Sequence, residues 1–147
     1  MERTDDVHES TAKTVLVRVI SPTRELLAER AVSVAFPAFD GSWGVLPAHA
    51  PMIALLGTGV VSLNLPGGGS RSVAIRGGFA KVAHDEVIIL SPEVAAAGEV
   101  AAEALDREFE MAAAEKPRDA DGRQKRAERL AWIAARRRLI GGAAEQR

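Results

Sequence analysis

The chain contains no cysteine, which excludes disulfides and thiolate chemistry and suits a reducing compartment. No stretch approaches the ~20 consecutive apolar residues that a membrane-spanning helix needs, so we expect no direct membrane insertion. The net charge of −1 argues against a protein that binds nucleic acid through a basic surface. The first thirteen residues are polar and acidic, unlike a signal peptide or an Arg-rich transit peptide. These features together favour a bacterial cytoplasmic protein.

Motifs of catalysis and ligand binding are also scarce. The glycine-rich segment 66–70 has no following lysine and no following helix, which predicts a hairpin turn and not a phosphate-binding loop. The three histidines, at 8, 49 and 84, lack the spacing of metal ligands. A G-x-S-x-G nucleophile motif is absent. We therefore expect no catalytic site, no metal and no cofactor.

The first two thirds of the chain has the pattern of short β-strands. Val15, Val17 and Val19 alternate with other residues at period two, and turns rich in glycine and proline interrupt the apolar segments. The spacing predicts a β-sandwich of about eight to ten strands over residues 14–91, after an N-terminal extension, residues 1–13, that we expect to be disordered. The continuous apolar run at 87–90 predicts a last strand buried on both faces.

Beyond residue 92 the pattern becomes alanine-rich and helical, which predicts an antiparallel two-helix hairpin over residues 93–140. The first helix should stop at Lys116-Pro117, because proline disfavours helical backbone before it. Asp119 or Asp121 can cap the second helix, which is predicted from about Gly122 to Ile140, with Gly141-Gly142 ending it before a tail, residues 141–147. The predicted fold class is thus β plus α, with a sandwich followed by a hairpin.

Charge distinguishes the two helices. Residues 93–121 contain nine acids and three bases, whereas residues 122–140 contain seven bases and one acid. Opposite charges favour pairing of the two helices with each other. Exposed ion pairs contribute only ~0–1 kcal/mol each, and alanines bury little area. Two hypotheses therefore stay open for the hairpin, a movable element and a static solvated appendage.

The arginines of the second helix support an alternative function, an adaptor that binds nucleic acid or an acidic protein partner. Arg136-Arg137-Arg138 could contact phosphates. Against this, the acidic first helix balances the charge, and no series of stacking aromatics accompanies the arginines. We therefore expect no nucleic-acid partner.

The most specific feature is an ordered set of loops. Asp40-Gly41-Ser42-Trp43 precedes the segment 44–51, Gly-Val-Leu-Pro-Ala-His-Ala-Pro, and a strand with a double glycine, Gly77-Gly78, follows. Together with an opening strand that ends in Ile20-Ser21-Pro22 and a helical tail, this order resembles the epsilon subunit of bacterial F-type ATP synthases over roughly residues 14–140.

The resemblance implies a non-catalytic central-stalk rotor subunit of a proton- or sodium-translocating synthase. The implied partners are the gamma subunit, the membrane rotor ring and, in an inhibitory state, the catalytic beta and alpha subunits. The implied location is the cytoplasmic face of the bacterial plasma membrane, where the complex holds the subunit peripherally. In the family the C-terminal helices either fold against the sandwich or extend and oppose ATP hydrolysis.

The resemblance implies partner contacts for two groups of residues in this chain. The loops that meet gamma and the ring correspond to Asp40, Ser42, Trp43 and His49. For Trp43 an interface role and core packing both remain open, and for His49 a role in holding the turn is preferred to direct partner contact. The regulatory contact with catalytic subunits would involve five arginines, namely Arg126, Arg129, Arg136, Arg137 and Arg138.

Some family members bind ATP on these helices through an Asp-x-x-Arg-Ala pattern followed by a second Arg-Ala. This chain has Arg126-Ala127, but Arg123 replaces the aspartate and Ile133 replaces the second arginine. The departures disfavour a regulatory ATP site, although the nearby Asp121 leaves a site in a shifted register open.

Overall fold

A computed structural model describes residues 13–145, with side chains as far as Gly141, and the predicted N-terminal extension therefore lies almost wholly outside the described residues. Eight strands are followed by a short 3-10 helix, Ala97–Glu99, and two α-helices. The strands are β1 Val15–Ile20, β2 Glu25–Ala31, β3 Ser33–Ala38, β4 Gly41–Val45, β5 Met52–Asn64, β6 Ser70–Ala83, β7 Glu86–Leu90 and β8 Val94–Ala96. The helices are α1 Ala102–Ala114 and α2 Ala120–Glu145. The predicted fold class is confirmed.

The strands lie in the order β2-β1-β7-β6-β5-β3-β4, and β8 pairs with β6 off this path. The β1–β7 pair is parallel, and the other pairs between described strands are antiparallel. Alternating side chains of β1 are buried at Val15, Val17 and Val19, as period two predicts. Valines, leucines and isoleucines of seven strands join them in one core. This core stabilises the sheet, and the loops and helices lie outside the core.

The two longest strands, β5 and β6, change which of their faces is buried along their length. In β5 the buried side chains are Ala54 and Leu56 at one end and Val61 and Leu63 at the other, so the parity shifts between them. Glycines in both strands mark the shift, and glycine tolerates the bent backbone that such a change requires. The two strands can therefore contribute to both layers of the sandwich.

Gly78 is the glycine with the strictest requirement. Its φ is +111°, and a Cβ built there would lie 1.9 Å from the carbonyl oxygen of Leu90. Such close approach of two backbones leaves no room for a side chain. The double glycine in the sequence is thus explained by packing of β6 against the end of β7.

The boundary between sheet and helices differs from the prediction. The sheet extends to Ala96, beyond the predicted end at residue 91, because β8 pairs with β6 through Val73↔Ala96 and Ala74↔Ala95. The prediction that the 87–90 strand is buried on both faces is also wrong. Val87 and Ile89 are buried, but Leu90 is half exposed because no described element covers its face.

The helical hairpin packs on the sheet through α2. Trp132, Ala135 and Leu139 of α2 form a buried cluster with Ala74 of β6 and Ala95 of β8. A second cluster joins the two helices through Leu105, Ala112 and Ile133, with Ile140 at its edge. Leu139 therefore packs on the sheet, whereas its neighbour Ile140 packs at the contact between the two helices.

The ends of the helices follow local signals in part. Asp119 caps α2, since the N–H of Gly122 donates to its Oδ1 at 2.8 Å. The helix continues through Gly141-Gly142 to Glu145, so the prediction that the glycine pair ends it is wrong. Glycine costs a helix only about 1 kcal/mol per residue and does not remove a backbone donor. Two glycines can therefore be accommodated in the last turns of this helix.

Candidate partner-binding surfaces

A row of large apolar side chains lies exposed across three neighbouring strands. Leu55 of β5 pairs with Phe79 of β6, which pairs with Leu90 of β7, so the three side chains lie on one face. They are 50%, 55% and 50% exposed. Phe39 adjoins the row because its N–H donates to the carbonyl of Leu55 at 2.7 Å, and Ile53 lies further along β5 on the same exposed face. We call these five residues the apolar face.

The apolar face is not evident from the sequence. Leucine, phenylalanine and isoleucine in a strand indicate burial, and the sequence pattern does not distinguish burial in the chain's own core from burial by a partner. A contiguous exposed apolar patch on a folded domain is typical of an interaction site. The one indication of this face in the sequence is the apolar run at 87–90, because a strand with a single buried face needs an apolar residue only at every second position.

The β3–β4 hairpin places three of the predicted contact residues at one side of the apolar face. Asp40 and Ser42 are exposed, and Trp43 is 38% exposed. The Trp43 Nε1–H donates to Asp40 Oδ1 at 3.4 Å, which brings these two residues together. Trp43 is therefore not a core residue of this chain, and its indole is available to a partner.

His49 lies in a different loop, at the opposite end of β4. Its Nδ1 is 2.7 Å from the carbonyl oxygen of Ala50, which requires the proton on Nδ1 in this arrangement. The contact supports the predicted role of His49 in holding its own turn. The segment 46–51 leads directly into Met52 and Ile53, so the loop borders the apolar face from the end of β5.

Four of the five predicted regulatory arginines bind within the hairpin. Arg126 donates to the carbonyl oxygens of Ala112 and Ala113 at 2.8 and 3.2 Å and so satisfies the C-terminal end of α1. The other three pair with acids of the first helical segment. Those pairs are Arg129–Glu115, Arg136–Glu108 with two hydrogen bonds at 2.6 and 3.1 Å, and Arg137–Asp106 at 3.0 Å.

The arrangement confirms that opposite charges join the helices in antiparallel register. Hydrogen bonding to Arg136 lowers the pKa of Glu108 from its ordinary value. The Arg136 guanidinium also lies 4.9 Å from the centre of the Trp132 ring, a cation–π distance. Arg138 differs, since its exposed guanidinium has no hydrogen bond or ion pair with any described residue. In this state the basic set is mostly unavailable to phosphates, which weakens the adaptor alternative.

Two further arginines fasten the helical part to the sheet. Arg24, in the β1–β2 turn, pairs with Glu99, whose Oε1 also accepts the N–H of Ala96 at 2.9 Å. Hydrogen bonds from Arg24 and then from Ala96 lower the pKa of Glu99 to about 2. Arg76 of β6 donates to Glu93 at 2.7 Å and to Glu128 of α2 at 3.4 Å. The hairpin is thus held by polar contacts at its edges and by the Trp132 cluster at its centre.

Within residues 13–145, no helix has the length and apolar character needed to cross a membrane. No cluster of three potential metal ligands among His, Cys, Asp and Glu occurs in the same part of the chain.

Comparisons with known proteins agree on one family. Residues 14–97 match a family model described as the ATP synthase, Delta/Epsilon chain, beta-sandwich domain. An ATP synthase epsilon chain from Rhodospirillum rubrum is 30% identical over 132 residues, which is 86% of this chain and 98% of that protein. An epsilon chain from Solibacter usitatus is 39% identical over 87 residues, but the match spans only 64% of its length and 59% of this chain.

The fold also has a solved counterpart. A chain in the cryo-EM structure of Euglena gracilis mitochondrial ATP synthase, OSCP/F1/c-ring, superimposes with a TM-score of 0.74 at 22% sequence identity. The superposition covers 89% of this chain and 81% of that chain. At this identity the likeness concerns the fold, and it includes the helical part as well as the sheet.

Proposed function

Because the chain belongs to the ATP synthase epsilon family, we propose that it is a central-stalk rotor subunit of a bacterial F-type ATP synthase. In this proposal it links the gamma subunit to the membrane rotor ring, and rotation driven by protons or sodium ions passes through it without slip. It lies at the cytoplasmic face of the plasma membrane, held there by the complex, and carries no catalytic centre. Its hairpin modulates ATP hydrolysis.

The observation that carries the linking role is the apolar face. Complete burial of a large apolar side chain contributes roughly 1.5–3 kcal/mol. Leu55, Phe79 and Leu90 are each about half exposed in the isolated chain. Binding of a partner would bury the exposed half of each side chain and gain the corresponding part of that free energy. All three residues lie in paired strands, which keeps their backbone rigid and reduces the entropy cost of binding. We assign this face to gamma.

The loops that border the face suit a second contact. Trp43 combines a large apolar ring with a polar edge, a type of side chain enriched at the centres of interfaces. Asp40 and Ser42 beside it, and His49 at the other end of β4, supply polar groups. We assign these four residues to the contacts with the rotor ring and the adjoining part of gamma.

The hairpin contacts support a regulatory exchange. In the docked state Arg126, Arg129, Arg136 and Arg137 satisfy groups on the first helical segment. An acidic surface on a catalytic subunit could replace the exposed partners of Arg129 and Arg137 at little net cost, because each exposed pair contributes only ~0–1 kcal/mol. A switch between docked and extended states requires such a small difference. Arg138 is available to an acidic partner in either state.

The linking role is tested by Phe79→Ser, with Met111→Ser as the matched control. Met111 lies on α1, away from the apolar face, and is 73% exposed. Both variants should melt near the wild-type temperature, because neither side chain is buried. We expect Phe79→Ser to lose most of its co-purification with the gamma subunit of the same genome, and Met111→Ser to retain it. Equal retention by the two variants would contradict the assignment of this face.

The regulatory role is tested by exchanging one ion pair, Asp106→Arg with Arg137→Asp. The exchange keeps opposite charges within the hairpin while it reverses the charge at position 137, so the second helix presents an acid to a partner in place of one of its bases. We expect higher ATPase activity of the reconstituted complex at low ionic strength and unchanged amide protection of α2 in the free subunit. Unchanged hydrolysis with the variant demonstrably bound would argue for a static hairpin.

A further inference from the structure

Backbone strain in this chain is concentrated at one place. Among the described residues, the non-glycine residues with positive φ are Ala48 at 68°, His84 at 53° and Asp85 at 57°. Residues other than glycine rarely adopt this conformation; asparagine, aspartate and histidine do so more often than the rest, so the strain is greatest at Ala48. Although Ala48 is remote in sequence from the other two, all three meet at one end of the sheet. Clustered strain of this kind persists only where the surrounding structure enforces it, and it is found preferentially at binding sites.

His84 and Asp85 form the two-residue turn between β6 and β7, since Ala83 pairs with Glu86 across it. Positive φ at both central positions is the pattern of a type I′ turn, for which Asn-Gly is the preferred sequence. The chain has His-Asp at these positions instead. A turn that needs only to reverse the chain would be more stable with glycine at the second position. The aspartate therefore requires another explanation.

The side chain of Asp85 supplies that explanation. The N–H of Ala48 donates to Asp85 Oδ1 at 2.6 Å, a short charge-assisted bond between the turn and the 46–51 loop. The backbone carbonyl of Asp85 accepts the N–H of Leu16 at 2.9 Å, which fixes the turn to the start of β1. Asp85 thus joins the 46–51 loop to β1 and to the turn between β6 and β7.

The loop held in this way presents apolar side chains to solvent. Leu46, at its beginning, is 62% exposed, and Ile53, just after its end, belongs to the apolar face. With Ala48 strained, the loop would relax to other conformations if its anchor were lost. A loop fixed before binding pays less entropy when a partner orders it.

We propose that Asp85 is a positioning residue, which holds the 46–51 loop in the conformation that a stalk partner binds. Asp85 does so through the Ala48 amide and without contacting the partner itself. The inference rests on the proposed function, which makes the loop a partner contact. It adds a residue that neither the resemblance nor the apolar face identifies.

The positioning step is tested in the free, full-length chain with three variants. Asp85→Gly removes the carboxylate while it relieves strain in the turn, Asp85→Asn keeps an acceptor oxygen, and His84→Gly relieves turn strain but leaves the carboxylate. We expect hydrogen exchange of the Ala48 amide to accelerate by about tenfold or more in Asp85→Gly, the size of effect expected for a lost bond to a charged acceptor. His84→Gly should match the wild type, and Asp85→Asn should lie between them. An Ala48 amide equally protected in Asp85→Gly would overturn the proposal.

Binding to the gamma subunit of the same genome then separates this inference from the proposed function. We expect Asp85→Gly to bind about tenfold more weakly with an undiminished melting temperature, Asp85→Asn to recover part of the affinity, and His84→Gly to bind as the wild type does. Faster Ala48 exchange with unchanged affinity would overturn the role of Asp85 in docking, while the Phe79 assay would still report on the proposed function.

Discussion

Truncation of Trp132 should release the hairpin from the sheet and leave the sheet folded. Trp132 is 7% exposed and packs with Ala74, Ala95 and Leu139, so its indole is the largest side chain in the buried cluster between α2 and the sheet. Replacement of a buried Phe or Trp by alanine costs about 3–5 kcal/mol. We expect about 3 kcal/mol for Trp132→Ala, because the surrounding alanines leave a cavity that α2 can partly close by shifting.

The measurement is hydrogen exchange of the backbone amides. A loss of about 3 kcal/mol corresponds to roughly 100-fold faster exchange through opening of the docked hairpin. Amides of α2 should show this acceleration, whereas core amides of β1 and β7 should not. Met111→Ala is the matched control, since Met111 is a large apolar residue of α1 that is 73% exposed and should change α2 exchange little. Unchanged protection of α2 in Trp132→Ala, or equal loss in α2 and the sheet core, would refute this account of docking.

Two further predictions concern the fold and its dependence on pH. Gly78→Ala should lower the free energy of unfolding of the sheet by more than about 3 kcal/mol, because the added Cβ meets the Leu90 carbonyl oxygen at 1.9 Å and strains a positive φ; a thermal melt within a few degrees of wild type would contradict this. Glu99→Gln should destabilise the chain by less than about 1 kcal/mol at neutral pH, since the pair with Arg24 is largely exposed. Because the folded-state pKa of Glu99 is lowered to about 2, the pair stabilises the fold above the ordinary carboxyl pKa and loses this effect as pH falls toward 2. The stability difference between wild type and Glu99→Gln in urea titrations should therefore shrink over that range, and a difference that grows toward acid would show the sign to be wrong.

The local pattern of the sequence was sufficient for the strands and helices. Period two at Val15, Val17 and Val19 predicts the inward face of β1, and a short link together with opposite charges predicts the antiparallel pairing of α1 with α2. The stop at Lys116-Pro117 and the cap at Asp119 follow from properties of one or two residues. Each of these signals comes either from one or two neighbouring residues or from a pattern repeated along a whole strand or helix.

The errors have a common physical cause. Leu90 is exposed although it ends an apolar run, because apolarity does not specify which molecule covers a side chain. The strand Val94–Ala96 is too short and alanine-rich to show period two, and its place depends on pairing with β6. Asp85 contacts Ala48 across 37 positions of sequence, and no periodic pattern encodes such a bond. A His-Asp pair in a two-residue turn was the available signal.

The central claim is that the apolar face is covered by a partner subunit in the assembled stalk. The absence of cysteine makes a direct measurement possible, since a single introduced cysteine is the only thiol in the chain. We would place it by Leu55→Cys on the apolar face and, in a second protein, by Met111→Cys on α1. The account predicts that a maleimide labels both cysteines in the free subunit, and that assembly with gamma protects position 55 while position 111 still reacts. Equal labelling of position 55 in the free and assembled subunit would contradict it.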